Sequence, residues 1–343
     1  MKGKKVFVGL SGGVDSAVSA ALLKQQGFEV TGVFIKVWSP DFLPCTWREE
    51  RRDAMRVAIT LDIPFLFFDF EEEYKKSVAD KMITEYELGR TPNPDILCNR
   101  EIKFGVFWKK AKELGADFIA TGHYAQNKNN QIFEGQDKEK DQSYFLWTLT
   151  PDDLKHVLFP VGDLEKKEVR SLAKKNDIPV AFKKDSQGIC FLGDVDLETF
   201  LPHFLEIQSG NVLNTKGEII GKHRGAIYYT IGERHGFEVN HNVPDSKAFY
   251  VVSKDMKMNT ITVSDDETEI KELSPIKIKL RDMNLQGAPT HARIRYRGEK
   301  VFIDLNESTV TFDGPQRGLA VGQSIVFYND DECLGGGVVD EIY

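Results

Sequence analysis

A short glycine-rich stretch near the N-terminus holds the first residues whose types and spacing could do chemistry. Residues 11–16 read SGGVDS and follow a short apolar run at residues 5–10. Two glycines let backbone N–H groups approach a phosphate closely, and the positive end of a following helix points at the same place. Asp15 is suited to hold Mg²⁺ against those phosphates. The pattern predicts a phosphate-binding loop; an ordinary glycine turn that opens a helix is the alternative.

The loop lacks one residue that triphosphate-binding loops usually have. Their lysine reaches the terminal phosphates, and residues 11–16 contain no lysine. A loop of this kind is suited to holding pyrophosphate as a leaving group. The reaction indicated is adenylation, in which an acceptor oxygen attacks the α-phosphate of ATP and gives an AMP ester and pyrophosphate.

The cysteines are the second group of residues with potential for chemistry. None lies in a Cys-x-x-Cys pair, so the spacing of zinc-ribbon and thioredoxin-type sites is absent. Scattered cysteines are usually buried and inert. The four are Cys45, Cys98, Cys190 and Cys333. Two of them lie in distinctive sequences, GRTPNPDILCN at residues 89–99 and DSQGICF at residues 185–191.

These motifs together resemble a known family. SGGVDS is similar to the PP-loop of the ATP-pyrophosphatase superfamily, and the two cysteine motifs closely resemble those of the bacterial tRNA 2-thiouridylases of the MnmA type. Four further stretches also resemble that family: ATGHYA at residues 120–125, KDQSYFL at 140–146, YYTIGERHG at 228–236 and CLGGG at 333–337. The resemblance therefore spans nearly the whole chain.

The resemblance implies ATP-dependent 2-thiolation of the wobble uridine of tRNA. Adenylation makes the base oxygen a leaving group, and sulfur from a cysteine persulfide then replaces it, with release of AMP and pyrophosphate. By resemblance Cys190 carries the persulfide, and Cys98 frees the sulfur by forming a transient disulfide with it. Asp95 fits a general acid or base near the target base. A persulfide-donor protein is then an expected partner, besides tRNA.

The same resemblance implies the remaining site residues. The expected contacts of ATP and, through its phosphates, of Mg²⁺ at Asp15 are Gly9, Leu10, Ser11, Gly12, Gly13, Val14, Asp15, Ser16, Ile35 and Gly122. The expected contacts of tRNA are Asn93, Pro94, Asp95, His123, Lys140, Asp141, Gln142, Arg295, Tyr296 and Gln323. Ile35 departs from the family pattern, in which methionine is frequent at this position. If the contact with adenine is made by the backbone, either side chain would serve.

Two prolines bracket Asn93 and predict that residues 92–94 are not helical. One interpretation is a stiff loop that presents Asn93, Pro94 and Asp95 to a flipped-out base. The other is a plain turn that ends a helix, and the sequence leaves both open.

The elements that must position these residues alternate between strand and helix in the first half of the chain. Apolar runs predict strands at residues 5–10, 30–37, 64–70 and 118–123, and helical spacing predicts helices at 17–26, 48–62, 71–88 and 101–114. Such alternation predicts an α/β fold, a parallel sheet with helices on both faces. The two glycine-containing turns, at Gly12 and Gly122, follow strands, where ligands of such sheets bind.

The pattern changes near residue 205 to short β-rich runs separated by Gly, Asn and Asp. Such runs predict small barrels or sandwiches. We therefore expect a PP-loop domain at residues 1–204, a small β-rich central domain at 205–270 and a C-terminal, tRNA-contacting β-barrel at 271–343.

A local basic face is predicted in the last of these domains, although the chain of 343 residues has a formal net charge of −8. Basic and apolar residues alternate in two runs, whose basic members are Lys277, Lys279, Arg281 and Arg293, Arg295, Arg297. Period-two spacing places each trio on one face of a strand. Two such strands side by side would make a patch for RNA phosphates; the solvated face of an amphipathic strand is the plainer alternative.

The composition and the length of the apolar runs limit the classes of protein that fit this sequence. With 41% hydrophobic and 29% charged residues, and no apolar run near the roughly 18 residues of a membrane span, we expect a cytoplasmic protein with no membrane partner. The rival functions are a PP-loop synthetase or amidotransferase acting on a small metabolite, and a non-catalytic nucleotide-gated RNA-binding protein. A 4-thiouridine synthetase is disfavoured because the PP-loop follows the first strand, which leaves no room for an N-terminal RNA-binding module.

Overall fold

A computed structural model describes residues 2–43, 46–184, 196–240 and 248–343. Contacts divide the chain into two compact units. The first unit comprises Met1–Asp80, Pro94–Asp194 and Tyr328–Gly335, and the second comprises Lys81–Asn93, Val195–Phe327 and Gly336–Tyr343. In the part of the chain that the structure describes, no helix combines the length and the apolar character that crossing a bilayer requires.

The first unit is built on a parallel sheet. Its strands are β1 (Lys5–Gly9), β2 (Glu29–Lys36), β3 (Phe65–Asp69), β4 (Phe118–Ala120), β5 (Ala125–Lys128), β6 (Gln131–Glu134) and β7 (Val157–Leu158). The sheet order is β3-β2-β1-β4-β7, and each neighbouring pair is parallel. The strands that follow β1 in the chain therefore lie first on one side of it (β2, β3) and then on the other (β4, β7). Ligands bind to sheets of this kind beside the strand where the order reverses.

Helices cover both faces of this sheet. They are α1 (Val14–Gln25), α2 (Trp47–Thr60), α3 (Glu71–Tyr74), α4 (Asp80–Glu87), α5 (Pro94–Cys98), α6 (Phe107–Glu113), α7 (Pro151–Leu154) and α8 (Lys166–Lys175). Small side chains on α1 let it pack closely against the sheet, in a core shared with α2 and α8. On the other face, Phe107 of α6 packs edge-on against Phe68 of β3, with ring centroids 6.2 Å apart.

Two helical runs contain wider turns than the sequence pattern indicated. The helix expected at residues 71–88 is interrupted by a π-helical turn, Lys75–Ala79, between α3 and α4. A second π-helical segment, Asn99–Val106, joins α5 to α6. Such turns often occur at functional sites, and the second one follows Cys98 directly.

A small hairpin completes the first unit. Strands β5 and β6 pair in antiparallel fashion, from Ala125 opposite Glu134 to Lys128 opposite Gln131. Residues 332 and 333, which belong to the same unit, pair with Phe133 and Ile132 of β6. No pattern in the sequence predicted this hairpin.

The second unit contains a small β-rich region followed by a barrel. The first region comprises α9 (Leu197–Phe200), β8 (Gly210–Leu213), β9 (Ile219–His223), β10 (Phe237–Val239), β11 (Tyr250–Asp255), β12 (Thr260–Ser264) and α10 (Glu267–Glu272), with sheet order β10-β9-β8-β12-β11. Val212, Val251 and Ile261 form the centre of its core.

The last strands close into a barrel. They are β13 (Lys277–Leu285), β14 (His291–Arg293), β15 (Val301–Asn306), β16 (Thr309–Phe312), β17 (Ser324–Asn329) and β18 (Glu332–Ile342). Their order is β13-β16-β15-β14-β17-β18, and β18 also pairs with β13. The predicted fold class, an α/β PP-loop sheet followed by a β-rich region and a β-barrel, is confirmed. The predicted boundaries at residues 204 and 270 stay a prediction.

The predicted pair of adjacent basic strands is wrong. Strands β15 and β16 lie between β13 and β14, so the two basic trios are not neighbours. The second trio is not on one strand either, because β14 ends at Arg293 and Arg297 adopts a left-handed conformation with φ of 59°. The alternating run that contains the second trio therefore continues past the end of β14 into a turn. Alternation of residue types alone does not reveal where a strand ends.

Candidate active site

The predicted phosphate-binding loop lies where β1 ends and α1 begins. Gly12 has φ of 74°, and a Cβ atom at this position would lie 2.5 Å from the backbone oxygen of Glu50, so the loop requires glycine there. The Ser16 hydroxyl accepts from the Ser11 N–H at 3.2 Å and donates to the Gly13 carbonyl at 3.1 Å. Ser16 is therefore buried and closes the loop, rather than extending from it.

The turn after β4 lies against this loop. A Cβ atom at Gly122 would lie 2.7 Å from the backbone nitrogen of Ser16 and 2.8 Å from the carbonyl carbon of Asp15. Only glycine permits this approach of the two backbones. The structure thus brings together the two glycine turns that the sequence placed at strand ends.

A lysine from a distant helix reaches the loop. The Nζ atom of Lys166, the first residue of α8, lies 2.8 Å from each carboxylate oxygen of Asp15. The Tyr124 hydroxyl donates to the same carboxylate at 2.7 Å. The Lys166 side chain is only 14% exposed and lies over the Tyr124 ring, 5.6 Å from its centroid.

Sequence reasoning missed Lys166 because no local pattern connects it to the loop. The loop lacks the usual lysine within its own sequence, but packing of α8 beside α1 supplies one from 151 positions away. The available indication was indirect: a helix that begins with a lysine, with Glu165 and Glu168 forming its capping box.

Cys98 and Asp95 lie in the short helix α5. The structure corrects one prediction here, because Pro94 is not in a loop but is the first residue of this helix, a position where proline is favoured. Residues 91–93 lie outside the helices and strands, as predicted for residues 92 and 93. Asp95 is half-buried, and Cys98 is fully buried with 0% exposure. Since thiol exchange requires access to sulfur, Cys98 has to be uncovered before it reacts.

Two of the other cysteine positions lie outside the described residues. These are Cys190, with the whole motif at residues 185–191, and Cys45. Cys333 is buried, with its Sγ atom 3.9 Å from the Ser143 carbonyl oxygen. The expected disulfide between Cys98 and Cys190 stays a prediction.

Comparisons with known proteins bear on this combination of loop and cysteines. Three family models match consecutive parts of the chain: the tRNA methyl transferase HUP domain at residues 4–194, the tRNA methyl transferase PRC-barrel domain at 198–265 and the aminomethyltransferase beta-barrel domain at 269–339. A tRNA-specific 2-thiouridylase MnmA from Listeria monocytogenes is 43% identical, covering 99% of this chain and 95% of the relative. Proteins of the same name from Streptococcus agalactiae and Lysinibacillus sphaericus are 42% and 40% identical, covering 99% of this chain and 96% and 95% of themselves.

The chain belongs to the tRNA-specific 2-thiouridylase family. This membership confirms the resemblance found in the motifs. It also confirms the prediction of a tRNA-uridine sulfurtransferase.

Residues 140–142 of this chain are predicted tRNA contacts, and the side chains of two of them form hydrogen bonds within the protein. The carboxylate of Asp141, 3% exposed, accepts hydrogen bonds from the Gly135 N–H at 3.0 Å and from the N–H and hydroxyl of Ser143 at 3.1 and 3.0 Å. The Asp141 carboxylate is therefore engaged within its own loop, and its contact with tRNA stays a prediction. Lys140 is half-buried, and its contact stays a prediction.

Gln142 instead positions a residue of the phosphate site. Its side-chain oxygen accepts from the Tyr124 N–H at 3.0 Å, and its own N–H donates to the Tyr124 carbonyl at 2.8 Å. Tyr124 in turn holds Asp15. Gln142 thus connects the KDQ motif of the family to the PP-loop through the backbone of one tyrosine.

His123 is enclosed by aromatic rings, and its expected contact with tRNA stays a prediction. Its ring lies between Phe104 and Phe159, with centroids 5.7 and 6.1 Å away. Its Nδ1 lies 2.7 Å from the Thr121 hydroxyl. Burial, with a smaller contribution from Lys103, holds the pKa of His123 well below its usual value, so the ring is neutral near pH 7.

The other predicted tRNA contacts belong to the second unit. Arg295 is exposed and Tyr296 is half-buried in the connection between β14 and β15. Gln323 accepts from the Ala320 N–H through its side chain at 3.0 Å, which closes the turn before β17. Asn93 is the last residue of Lys81–Asn93, a segment that belongs to the second unit.

The remaining predicted ATP contacts are Ile35 and the Mg²⁺ position at Asp15. Ile35 is 7% exposed near the carboxyl end of β2, where it pairs with Phe68 of β3, and its contact with ATP stays a prediction. Within the described ranges, no group of three or more His, Cys, Asp or Glu residues could hold a metal ion. A single carboxylate at Asp15 fits a Mg²⁺ ion that arrives with nucleotide phosphates, since Mg²⁺ is commonly bound by one or two carboxylates plus phosphates.

Proposed function

We propose that this protein uses ATP to replace the 2-oxygen of the wobble uridine of tRNA with sulfur, releasing AMP and pyrophosphate. The observation that carries the proposal is the cluster of Asp15, Lys166 and Tyr124 at the opening of α1, between two glycine turns. This cluster can hold polyphosphate, and its chain also has the two cysteine motifs of the family to which it belongs.

The first step is adenylation of the uridine. The ATP phosphates would meet the free N–H groups of the first turn of α1, where the helix dipole favours negative charge. Lys166 now neutralises Asp15; with nucleotide present it would turn to the phosphates. Asp15 would then hold Mg²⁺, which when bound offsets the negative charge of the phosphates.

The bond changes of this step define the roles. The uridine O2 attacks the α-phosphorus, the bond to pyrophosphate breaks, and the uridine N3 proton goes to a base. Asp95, half-buried at the start of α5, is our candidate for that base.

The second step transfers sulfur. The terminal sulfur of a persulfide on Cys190 attacks C2 of the base, and AMP leaves with the former O2. The Cys98 thiolate then attacks Sγ of Cys190, and the bond to the transferred sulfur breaks. Sulfur stays on C2, a disulfide joins Cys98 to Cys190, and a thiol reductant must reduce it before the next turnover.

The proposal also names partners and organisation. The partners are tRNA and a protein that delivers persulfide sulfur to Cys190. The division into a PP-loop domain at 1–204, a central domain at 205–270 and a tRNA-contacting barrel at 271–343 is part of the proposal. A cytoplasmic location stays a prediction.

The test combines the purified protein with α-labelled ATP, unmodified tRNA and a persulfide donor. AMP and pyrophosphate should form in equal amounts only when tRNA is present, and nucleoside mass spectrometry should show exchange of oxygen for sulfur in uridine. Hydrolysis of ATP to ADP as the main reaction would contradict adenylation. A gain of a methyl group, or thiolation of a small metabolite instead of tRNA, would contradict the substrate and the reaction.

A further inference from the structure

Cys98 lies at a change in helix type. Residues 94–113 form one continuous helical run, made of α5, the π-helical segment Asn99–Val106 and α6. A π-helical N–H bonds to the carbonyl five positions earlier instead of four, as the Phe107 N–H does with Ile102. The segment therefore holds about one residue more than an α-helix of the same length. This extra residue sets the orientation of α5, and so of Cys98, relative to α6.

A glycine inside the π-helical segment fits this wider turn. A Cβ atom at Gly105 would lie 2.8 Å from the carbonyl oxygen of Arg100, five positions earlier, which is closer than a real Cβ atom can approach. In an α-helix the same glycine is unfavourable, because alanine favours the α-helical state over glycine by about fivefold at one position. Gly105 therefore stabilises the π-helical form relative to the α-helical one in two ways.

The π-helical form has a cost of its own, a buried polar atom without a partner. Asn99 is 1% exposed, and its side-chain N–H donates to the Phe145 carbonyl at 3.0 Å. Its Oδ1 atom has no hydrogen-bond partner among the described residues. An unpaired buried acceptor destabilises the state that contains it. The free-energy gap between this form and an alternative conformation of the same segment is thereby reduced.

Loss of the extra residue would turn α5 about its axis. An α-helix advances by about 100° and about 1.5 Å per residue, so each residue of α5 would move back by one place, and Cys98 would take the position that Leu97 holds now. Leu97 is half-buried, whereas Cys98 is 0% exposed. By the same shift, a side chain at position 97 would take the buried position of Ile96, which is 4% exposed. The two neighbouring positions would therefore change burial in opposite directions.

We propose that Cys98 is uncovered by conversion of the π-helical segment to the α-helical form, and that Gly105 is the positioning residue that keeps Cys98 buried until tRNA binds. The inference rests on the proposed function, in which the Cys98 thiolate must attack. Pro94 and Asp95, the predicted contacts of the target uridine, begin the same helical run, so binding there acts on the orientation of α5. A substrate that binds the rotated form more tightly shifts the population towards it.

Alkylation of Cys98 tests this proposal in protein with Cys45→Ser and Cys190→Ser. Without tRNA, Gly105→Ala should accelerate it about fivefold or more, because alanine disfavours the π-helical form and favours the α-helical one. Lys109→Gly is the matched control, since Lys109 is exposed on α6 and glycine there weakens the same helical run by a comparable factor. It should leave the rate unchanged. Equal acceleration by both substitutions would indicate fraying of the helix and overturn the proposal.

A cysteine placed one position earlier distinguishes rotation from unfolding. With ATP and tRNA, alkylation of Cys98 should accelerate, whereas alkylation of the cysteine introduced by Leu97→Cys, in protein with Cys98→Ser added, should slow. Gly105→Ala should give the same opposite changes without tRNA, where no bound RNA can shield position 97. If Gly105→Ala does not fold, the two rates measured with tRNA decide.

Two outcomes would overturn the proposal. Acceleration at both positions would indicate that α5 unfolds, and an unchanged Cys98 rate in Gly105→Ala protein with a normal thermal unfolding transition would show that the π-helical segment does not control burial. If Gly105→Ala gives the opposite changes but the protein forms no 2-thiouridine, the proposed function fails while this inference stands.

Discussion

The ammonium group of Lys166 contacts both carboxylate oxygens of Asp15 at 2.8 Å, although 151 positions separate the two residues. The pair lies at the end of the PP-loop, so the lysine that the loop lacks in sequence is present in space. Because its partner is an acidic residue of the loop, Lys166 can exchange between that carboxylate and an incoming phosphate.

Lys166→Ala should remove this charge. We expect tRNA-dependent release of pyrophosphate to fall about 100-fold or more, since a charged group placed at a phosphoryl transition state contributes on that scale. Lys167→Ala is the matched control, because Lys167 follows it in the chain, is 79% exposed and pairs with Glu165. Asp15→Ala should abolish the same reaction. Equal rates for both lysine variants would contradict the assignment.

Tyr124→Phe should remove one hydrogen bond from the Asp15 carboxylate. A hydrogen bond to a charged group contributes about 1.5–3 kcal/mol, so we expect a loss of roughly tenfold in pyrophosphate release with the fold retained. Tyr343→Phe removes a comparable hydrogen bond to Glu341 at the exposed C-terminus and should leave the rate unchanged. A Tyr124→Phe rate within twofold of wild type would show that the phenol only packs.

The burial of Cys98 predicts slow reaction with thiol reagents. In a Cys45→Ser, Cys190→Ser background, alkylation of Cys98 should be far slower in the native protein than in urea, and ATP with tRNA should accelerate it. Cys333, also buried, is the internal control and should stay slow under all native conditions. Rapid alkylation of Cys98 without tRNA would contradict the need for uncovering.

The cysteine roles themselves are separable. Cys190→Ser should lose the persulfide and all sulfur transfer, whereas Cys98→Ser should accept a persulfide and turn over poorly, because no disulfide can release the sulfur. Cys45→Ser and Cys333→Ser should be nearly silent. Normal 2-thiouridine formation by Cys190→Ser with a persulfide donor would exclude the mechanism.

The buried neutral ring of His123 predicts a pH effect on stability. Its pKa is lowered in the folded state by burial, so the unfolded chain binds a proton near pH 6.5 that the folded chain does not. Its contribution to stability is therefore complete above about pH 6.5 and is lost as pH falls below that value. Urea unfolding at pH 7 and pH 5 should show a smaller decrease for His123→Gln than for wild type.

The control for this effect is His235→Gln, because His235 is exposed. Its pH dependence should match that of wild type. Equal pH dependence of wild type and His123→Gln would show that protonation of the ring does not destabilise the folded protein. The ring would then not be buried in the way that the structure places it.

Sequence patterns predicted the parts of the fold that depend on local order. The apolar run of β1, the glycines after it and the small residues of α1 are contiguous, so strand, loop and helix could be placed to within a few residues. Gly122 was also predicted, since it follows a strand and adjacent parallel strands end at one edge of a sheet.

Long-range packing decided what the sequence could not show. Lys166 and Tyr124 meet Asp15 only because their elements pack beside α1. Asp141 lies in a motif that resembles a tRNA-binding one, yet its carboxylate is occupied by backbone and hydroxyl donors of its own loop. A polar residue in a motif can contact a ligand or stabilise the fold, and the residue type is the same in both cases. Only the contacts in the structure distinguish the two roles.

The basic residues of the barrel give the last prediction, because the structure separates two groups that the sequence joined. Lys279 pairs with Glu341 at 2.9 Å, and Arg281 pairs with Glu85 at 2.7 Å, so these cations are already neutralised. Arg295 and Arg297 lie in the β14–β15 connection and are exposed. The first pair should support the fold, and the second should bind RNA phosphates.

Arg295→Ala with Arg297→Ala should weaken tRNA binding and reduce the slope of log K against log salt by about two, with unchanged thermal stability. Lys279→Ala with Arg281→Ala should leave that slope unchanged. The second double variant should instead lower the free energy of unfolding, because removal of Arg281 leaves Glu85, whose side chain is 21% exposed, with fewer partners. Filter binding between 50 and 200 mM salt, the range over which phosphate contacts change affinity most visibly, decides between them. If both double variants flatten the slope equally, the two basic groups act together on RNA, as the alternating sequence pattern first indicated.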